Sequence, residues 1–237
     1  MYPPINASWI DLAPGFAGYL ALPPAGRGPG LVLWQEIFGV NEHIRAVADQ
    51  YALAGFVVLA PDVFWRQAPR VELAYAGADR EQAVQLMQGY SADQALSDVA
   101  VAVDQIKTRP EVTGRVGSIG YCMGGRMAYL TAASTDLDAA VAYYGGGIQT
   151  QLDRAASIRC PMQLHYAERD DHIPLAAVEQ VRAALLQRGG VASSDVHVYP
   201  GAVHGFNCWA RASYHPASAA LALGRAVTFL AQHLFRD

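Results

Sequence analysis

The chain has 237 residues, a formal net charge of −4, 52% hydrophobic residues and 16% charged residues. A composition this apolar and weakly charged excludes a disordered chain, and the length is enough to bury a core without disulfide or metal staples. There is no Lys/Arg block and Lys107 is the single lysine, so the sequence carries no electrostatic footprint for nucleic acid or an anionic membrane surface. No apolar run reaches the ~18 residues of a membrane span. The three cysteines, Cys122, Cys160 and Cys208, form no CxxC pair, which excludes zinc-ribbon and dithiol redox readings and fits a reducing compartment. The N-terminal residues lack the cationic start and apolar segment of a secretory signal, so the expected location is the cytoplasm.

Residues 8–13 and 16–22 flank Pro14-Gly15 and read as an antiparallel hairpin, followed by a Pro/Gly-rich loop over 23–30. From there apolar runs alternate with amphipathic segments. Strands are expected at 31–36, 56–60, 116–121, 139–144, 162–166 and 196–199. A helix is expected over 41–54, capped by Asn41 and stopped by Gly55. Another covers 93–108, where Ala95, Leu96, Val99, Val103 and Ile106 recur at spacings of three and four. Further helices are expected at 123–133, 175–187 (ended by Gly189-Gly190) and 217–234. This alternation predicts an α/β fold over residues 1–237 as a single domain: a mostly parallel, doubly wound sheet with an N-terminal antiparallel hairpin and helices on both faces. Ligands bind such sheets outside the carboxyl ends of the strands, so chemistry is sought just after each strand.

The most specific stretch is Gly120-Tyr121-Cys122-Met123-Gly124-Gly125, which has the G-x-nucleophile-x-G spacing with cysteine at the centre. That spacing makes a sharp strand-to-helix turn. It exposes the nucleophile at its tip and puts the sulfur at a helix N-terminus, whose partial positive charge favours a thiolate. The turn demands an acid and then a histidine, each after a later strand. Asp170 (or its neighbour Asp171) and His204 arrive in that order. Among the other histidines, His165 and His197 read as strand residues, His43, His215 and His233 as solvated, and His172 as a neighbour of the acid. His204 and Cys208 are four apart, but no third ligand follows from the sequence, and no metal is expected. Glu36 closes the first long parallel strand and faces the nucleophile. The backbone N–H groups of Ile37 and Met123 are placed to form an oxyanion hole. Phe38 and Tyr144 lie after strands at the same end.

Taken together, Gln35-Glu36-Ile37-Phe38-Gly39, Gly120-Tyr121-Cys122-Met123-Gly124-Gly125, Asp170 and His204 resemble the dienelactone hydrolase family over essentially the whole chain. The resemblance implies an α/β-hydrolase fold and a cofactor-free hydrolase with a Cys122–His204–Asp170 triad. Asp170 is chosen by matching the family's Asp-x-x-x-Pro segment onto Asp170 through Pro174. The resemblance implies that Glu36 holds the thiol proton at rest, keeping Cys122 neutral and turned from His204, and that substrate binding displaces Glu36, which takes the proton and leaves a thiolate paired with His204 as imidazolium. It implies attack on a lactone carbonyl, an oxyanion held by Ile37 and Met123, and a thioester intermediate. It also implies two arginines for the substrate carboxylate. Arg80 matches one of them. The second is expected four residues after His204, where Cys208 stands, with Arg211 three residues further on.

Two other readings compete. One keeps the enzyme as a general carboxylesterase or thioesterase of another small acyl substrate. The other is a non-enzymatic thiol sensor on the same fold, against which the ordered acid and histidine argue. The expected partner is a small-molecule lactone or ester, with neither nucleic acid nor membrane, and the chain is expected to be a monomer.

Overall fold

The structure, a computed structural model, describes residues 5–187 and 194–235. The expected helix stop at Gly189-Gly190 lies outside the described residues. Eight strands form one sheet in the order β1-β2-β4-β3-β5-β6-β7-β8. They are β1 (Asn6–Ala13), β2 (Phe16–Leu22), β3 (Gly28–Trp34), β4 (Val57–Pro61), β5 (Val112–Tyr121), β6 (Ala139–Tyr143), β7 (Met162–Ala167) and β8 (Ser194–Tyr199). The β1–β2 and β2–β4 pairs are antiparallel, and every pair from β4 to β8 is parallel. The expected hairpin and mostly parallel sheet are both present.

Helices cover both faces. They are α1 (Glu42–Leu53), α2 (Gly77–Gln88), α3 (Ala92–Lys107), α4 (Met123–Ser134), α5 (Leu175–Gln187) and α6 (Pro216–Leu234). The faces can be assigned along β5, where side chains alternate. A Cβ on Gly117 would point at Leu234 of α6, and Tyr121, four residues on, reaches Tyr51 of α1. Val116 instead shares its side with Ile106 of α3, both lying against Gly30. The sheet is therefore buried on both sides, and β4, β6 and β7 are buried at every residue. Such strands read as unbroken apolar runs. Among the described residues no helix is long and apolar enough to cross a membrane.

Two elements differ most from expectation, while β5 begins four residues before the expected 116 and β3 ends two before the expected 36. Residues 28–30, expected as loop, join β3, because Gly28 lets the Gly55 carbonyl approach closely and Gly30 does the same for Val116 of β5 and Ile106 of α3. Helix α2 was not expected at all. It buries only Ala83 and Leu86 and its start at Ala76 has no side-chain cap, so it lacks both the apolar stripe and the cap that mark a helix in sequence.

Candidate active site

Strand β5 ends at Tyr121 and α4 begins at Met123, so Cys122 alone makes the reversal. Its backbone sits at φ 56°, ψ −117°, a conformation that costs an L residue about 1–3 kcal/mol. The neighbouring glycines make the turn possible. A Cβ on Gly120 would collide with the Gly124 carbonyl, and one on Gly124 with the carbonyl oxygens of Trp34 and Gln35. The crossing of β3 and α4 is thus backbone against backbone. As the first residue of α4, Met123 has an N–H with no intrahelical acceptor.

Three side chains from three strand ends meet at this turn. His204 Nε2 lies 3.2 Å from Cys122 Sγ, and His204 Nδ1 lies 2.9 Å from Asp170 Oδ2. The other carboxylate oxygen of Asp170 accepts the backbone N–H groups of His172 (2.9 Å) and Ile173 (3.1 Å). Those bonds fix the carboxylate, whose side chain is fully buried. Asp171 is exposed, and it is Asp170 that contacts His204. Burial disfavours a charged His204 ring, but its bonds to Asp170 and Cys122 outweigh this and raise the pKa to about 10.

Glu36 leaves the end of β3 and is wholly buried. Burial pushes its carboxyl pKa up, while Arg211, His204 and the nearby Tyr75 hydroxyl pull it back. Arg211 Nη1 lies 3.2 Å from Glu36 Oε1, and Oε2 has no hydrogen-bond partner. The family resemblance implies a resting thiol turned from His204 toward Glu36. The structure instead has Cys122 facing His204 and Glu36 facing Arg211.

The sequence matches the dienelactone hydrolase family model over residues 16–234. The chain belongs to the dienelactone hydrolase family. The similarity is close to full length: a provisionally named carboxymethylenebutenolidase of Azospirillum brasilense is 37% identical over 92% of this chain and 94% of its own. The carboxymethylenebutenolidase of Pseudomonas putida is 32% identical over 91% of both chains. The crystal structure of a provisionally named dienelactone hydrolase from Klebsiella pneumoniae superposes with a TM-score of 0.82 at 30% identity, over 96% of this chain and 99% of that one. Membership makes this dienelactone hydrolase homologue an α/β-hydrolase acting on ester or lactone bonds.

A cavity of about 320 Å³ opens over Cys122 and His204. Of the candidate site residues, Ile37, Phe38, Met123, Arg80 and Arg211 line it. Arg80 reaches it from α2, and Arg211 from the loop between β8 and α6. That loop coils through successive turns and is closed by the His215 N–H on the Phe206 carbonyl at 3.0 Å. Gly205, at φ 78°, lets the Arg211 guanidinium pass, since a Cβ there would meet it. Tyr144 is a correction. It is fully buried and does not line the cavity. Its ring packs edge-on to His204 at 5.1 Å and to Phe206 at 5.4 Å. Arg126 and His172 also line the cavity; Arg126 is not among the residues expected from the sequence, where its signal is a cation one turn after Cys122 on α4.

Cys208, at the position expected for an arginine, is fully buried. Burial and the Glu36 charge push its thiol pKa up to about 12. His43 was expected in solvent but is only 4% exposed, under Trp209 with ring centroids 4.2 Å apart. Burial and the Arg211 charge lower its pKa to about 4, so the ring is neutral. One ligand atom each from Glu36, His43 and Cys208 lies within 4.8 Å of the others.

Proposed function

We propose that the chain, acting as a single-domain monomer without a cofactor, opens an activated, carboxylate-bearing lactone through a Cys122–His204–Asp170 triad and a thioester intermediate. The observation that carries this reading is the continuous contact line Cys122 Sγ–His204 Nε2–Asp170 Oδ2, at 3.2 and 2.9 Å, beneath an arginine-lined cavity. A histidine with a raised pKa beside a cysteine supports a thiolate–imidazolium pair.

The thiolate attacks the lactone carbonyl carbon, and the Ile37 and Met123 N–H groups hold the oxyanion. Its collapse breaks the ring C–O bond, leaves an acyl thioester on Cys122 and expels an enolate, which takes the proton from His204. Water then gives a proton to His204 and adds to the thioester. The second tetrahedral intermediate releases the carboxylic acid and returns the thiolate. Cysteine suits this chemistry because a thiolate is itself a good leaving group. Attack on an ordinary ester reverts, whereas an enolate departs readily.

At rest the Glu36 carboxylate accepts a hydrogen bond from the Cys122 thiol and keeps it neutral, which protects it from oxidation; on substrate binding Glu36 takes that proton and leaves the thiolate paired with the His204 imidazolium. Its raised pKa supports this role. The arrangement with Glu36 on Arg211 and Cys122 on His204 is the engaged form. A substrate carboxylate binds Arg80 and Arg211, with Arg211 standing in for the family arginine that Cys208 replaces.

The neutral, buried Cys208 favours a second reading, a carboxylesterase or thioesterase of an uncharged acyl substrate. Turnover of a carboxylate-bearing dienelactone beside an uncharged activated ester, both in chelator, separates the two. A kcat/KM at least about tenfold higher for the anionic lactone supports the proposal. A preference for the neutral ester supports the second reading.

A further inference from the structure

The geometry points to a buried site for a zinc-class divalent cation formed by Glu36, His43 and Cys208, beside the Cys122–His204 pair. Carboxylate oxygen, imidazole nitrogen and thiolate sulfur are the donors that zinc takes, with a fourth position for water. The donors already stand close together, with ligand atoms within 4.8 Å of one another. Zinc bonds of about 2.0–2.3 Å place tetrahedral ligands within roughly 4 Å, so movements of about an ångström complete the set.

The second observation is independent of that clustering. His43 is only 4% exposed, yet neither of its ring nitrogens has a hydrogen-bond partner. Leaving one buried polar group unsatisfied costs about 1–3 kcal/mol, and here two sit on one ring. Glu36 Oε2 likewise has no hydrogen-bond partner, with Arg211 on Oε1 and the Tyr75 hydroxyl beside the carboxylate. A route in is present. A surface cleft of about 520 Å³, lined in part by Leu73, Tyr75 and Trp209, opens at His43.

Binding releases the Cys208 thiol proton to solvent, and the two charges of the ion offset the new thiolate and the Glu36 carboxylate. Arg211 keeps Glu36 Oε1. Where the proposed role of Glu36 holds, the ion also removes the group that takes the Cys122 proton, so zinc acts as an inhibitor bound behind the site. That consequence rests on the proposed function; the binding does not.

The test therefore separates them. Cobalt(II), a spectroscopic stand-in for zinc, is titrated into the Cys122→Ala protein, which cannot bind metal through the Cys122–His204 pair. The expected result is one equivalent bound, with a thiolate-to-cobalt charge-transfer band and tetrahedral visible bands, all displaced by zinc. Adding Cys208→Ser or His43→Gln abolishes the band or weakens binding at least about tenfold. Absence of the band in the Cys122→Ala parent overturns the proposal, and that result needs no further variant to fold. A band that survives both substitutions, in proteins shown folded by their melting curves, overturns it equally. In the wild-type enzyme, zinc inhibition that His43→Gln relieves supports the inhibitory role. Inhibition unchanged in His43→Gln contradicts that role and assigns it to the Cys122–His204 pair.

Discussion

The Arg211 guanidinium, which lines the cavity over Cys122, lies 3.2 Å from the Glu36 carboxylate, joining residues 175 positions apart. Glu36 is wholly buried, whereas Arg211 is partly exposed and stacks toward the Phe38 and Tyr75 rings. The pair therefore connects a carboxylate beneath the cavity to a cation that substrate can reach. Replacing Arg211 tests both ends of that connection.

Arg211→Gln is expected to lower kcat/KM for a carboxylate-bearing lactone by about 10- to 100-fold, the scale of one charge-assisted hydrogen bond of roughly 1.5–3 kcal/mol. The loss for an uncharged activated ester should be several-fold smaller. Steady-state kinetics on the matched pair of substrates measures this. Equal losses on both would show that Arg211 acts only by holding Glu36.

The raised pKa of His204 has a consequence for stability. The folded-state value is about 10 against an ordinary value of 6.5. A group whose folded pKa is raised adds stability that is complete below the unfolded value and is lost as pH rises through the folded one. Stability should therefore fall between about pH 6.5 and pH 10. Asp170→Asn removes the hydrogen-bonded carboxylate and should flatten that fall. Urea unfolding of both proteins across this window checks the slope, and parallel slopes would remove the coupling.

Gly124→Ala should destabilise the protein by about 1–3 kcal/mol, because the new methyl meets the backbone carbonyls of Trp34 and Gln35 rather than a side chain that can turn away. Activity should fall further than stability, since β3 carries Glu36 and Ile37 just beyond that contact. Gly224→Ala is the control: nothing lies within 4 Å of a Cβ there, on α6. Urea midpoints and turnover of the two variants make the comparison.

What was legible in the sequence was local or ordered along the chain. The Cys122 turn is six consecutive residues, and Asp170 and His204 follow strands whose apolar runs mark them, so each could be placed by its distance from a strand end. The Glu36–Arg211 pair and the grouping of His43 with Cys208 were not legible. They depend on how the loop from Val203 to His215 coils back over β3 and α1, and no periodicity records that path. His43 is buried rather than solvated for the same reason, since Trp209 from that loop covers it. Tyr144 looked like a cavity residue because it follows β6, but its φ of 35° turns the chain and its ring lies buried against His204.

The central claim is that Cys122 is the nucleophile, and the most direct measurement is turnover of an activated lactone by the Cys122→Ala and wild-type proteins side by side, in chelator and at matched concentration. The account predicts hydrolysis by the wild type and only the background rate with Cys122→Ala, whose melting curve should be preserved. Turnover by Cys122→Ala within a few-fold of the wild type would contradict it.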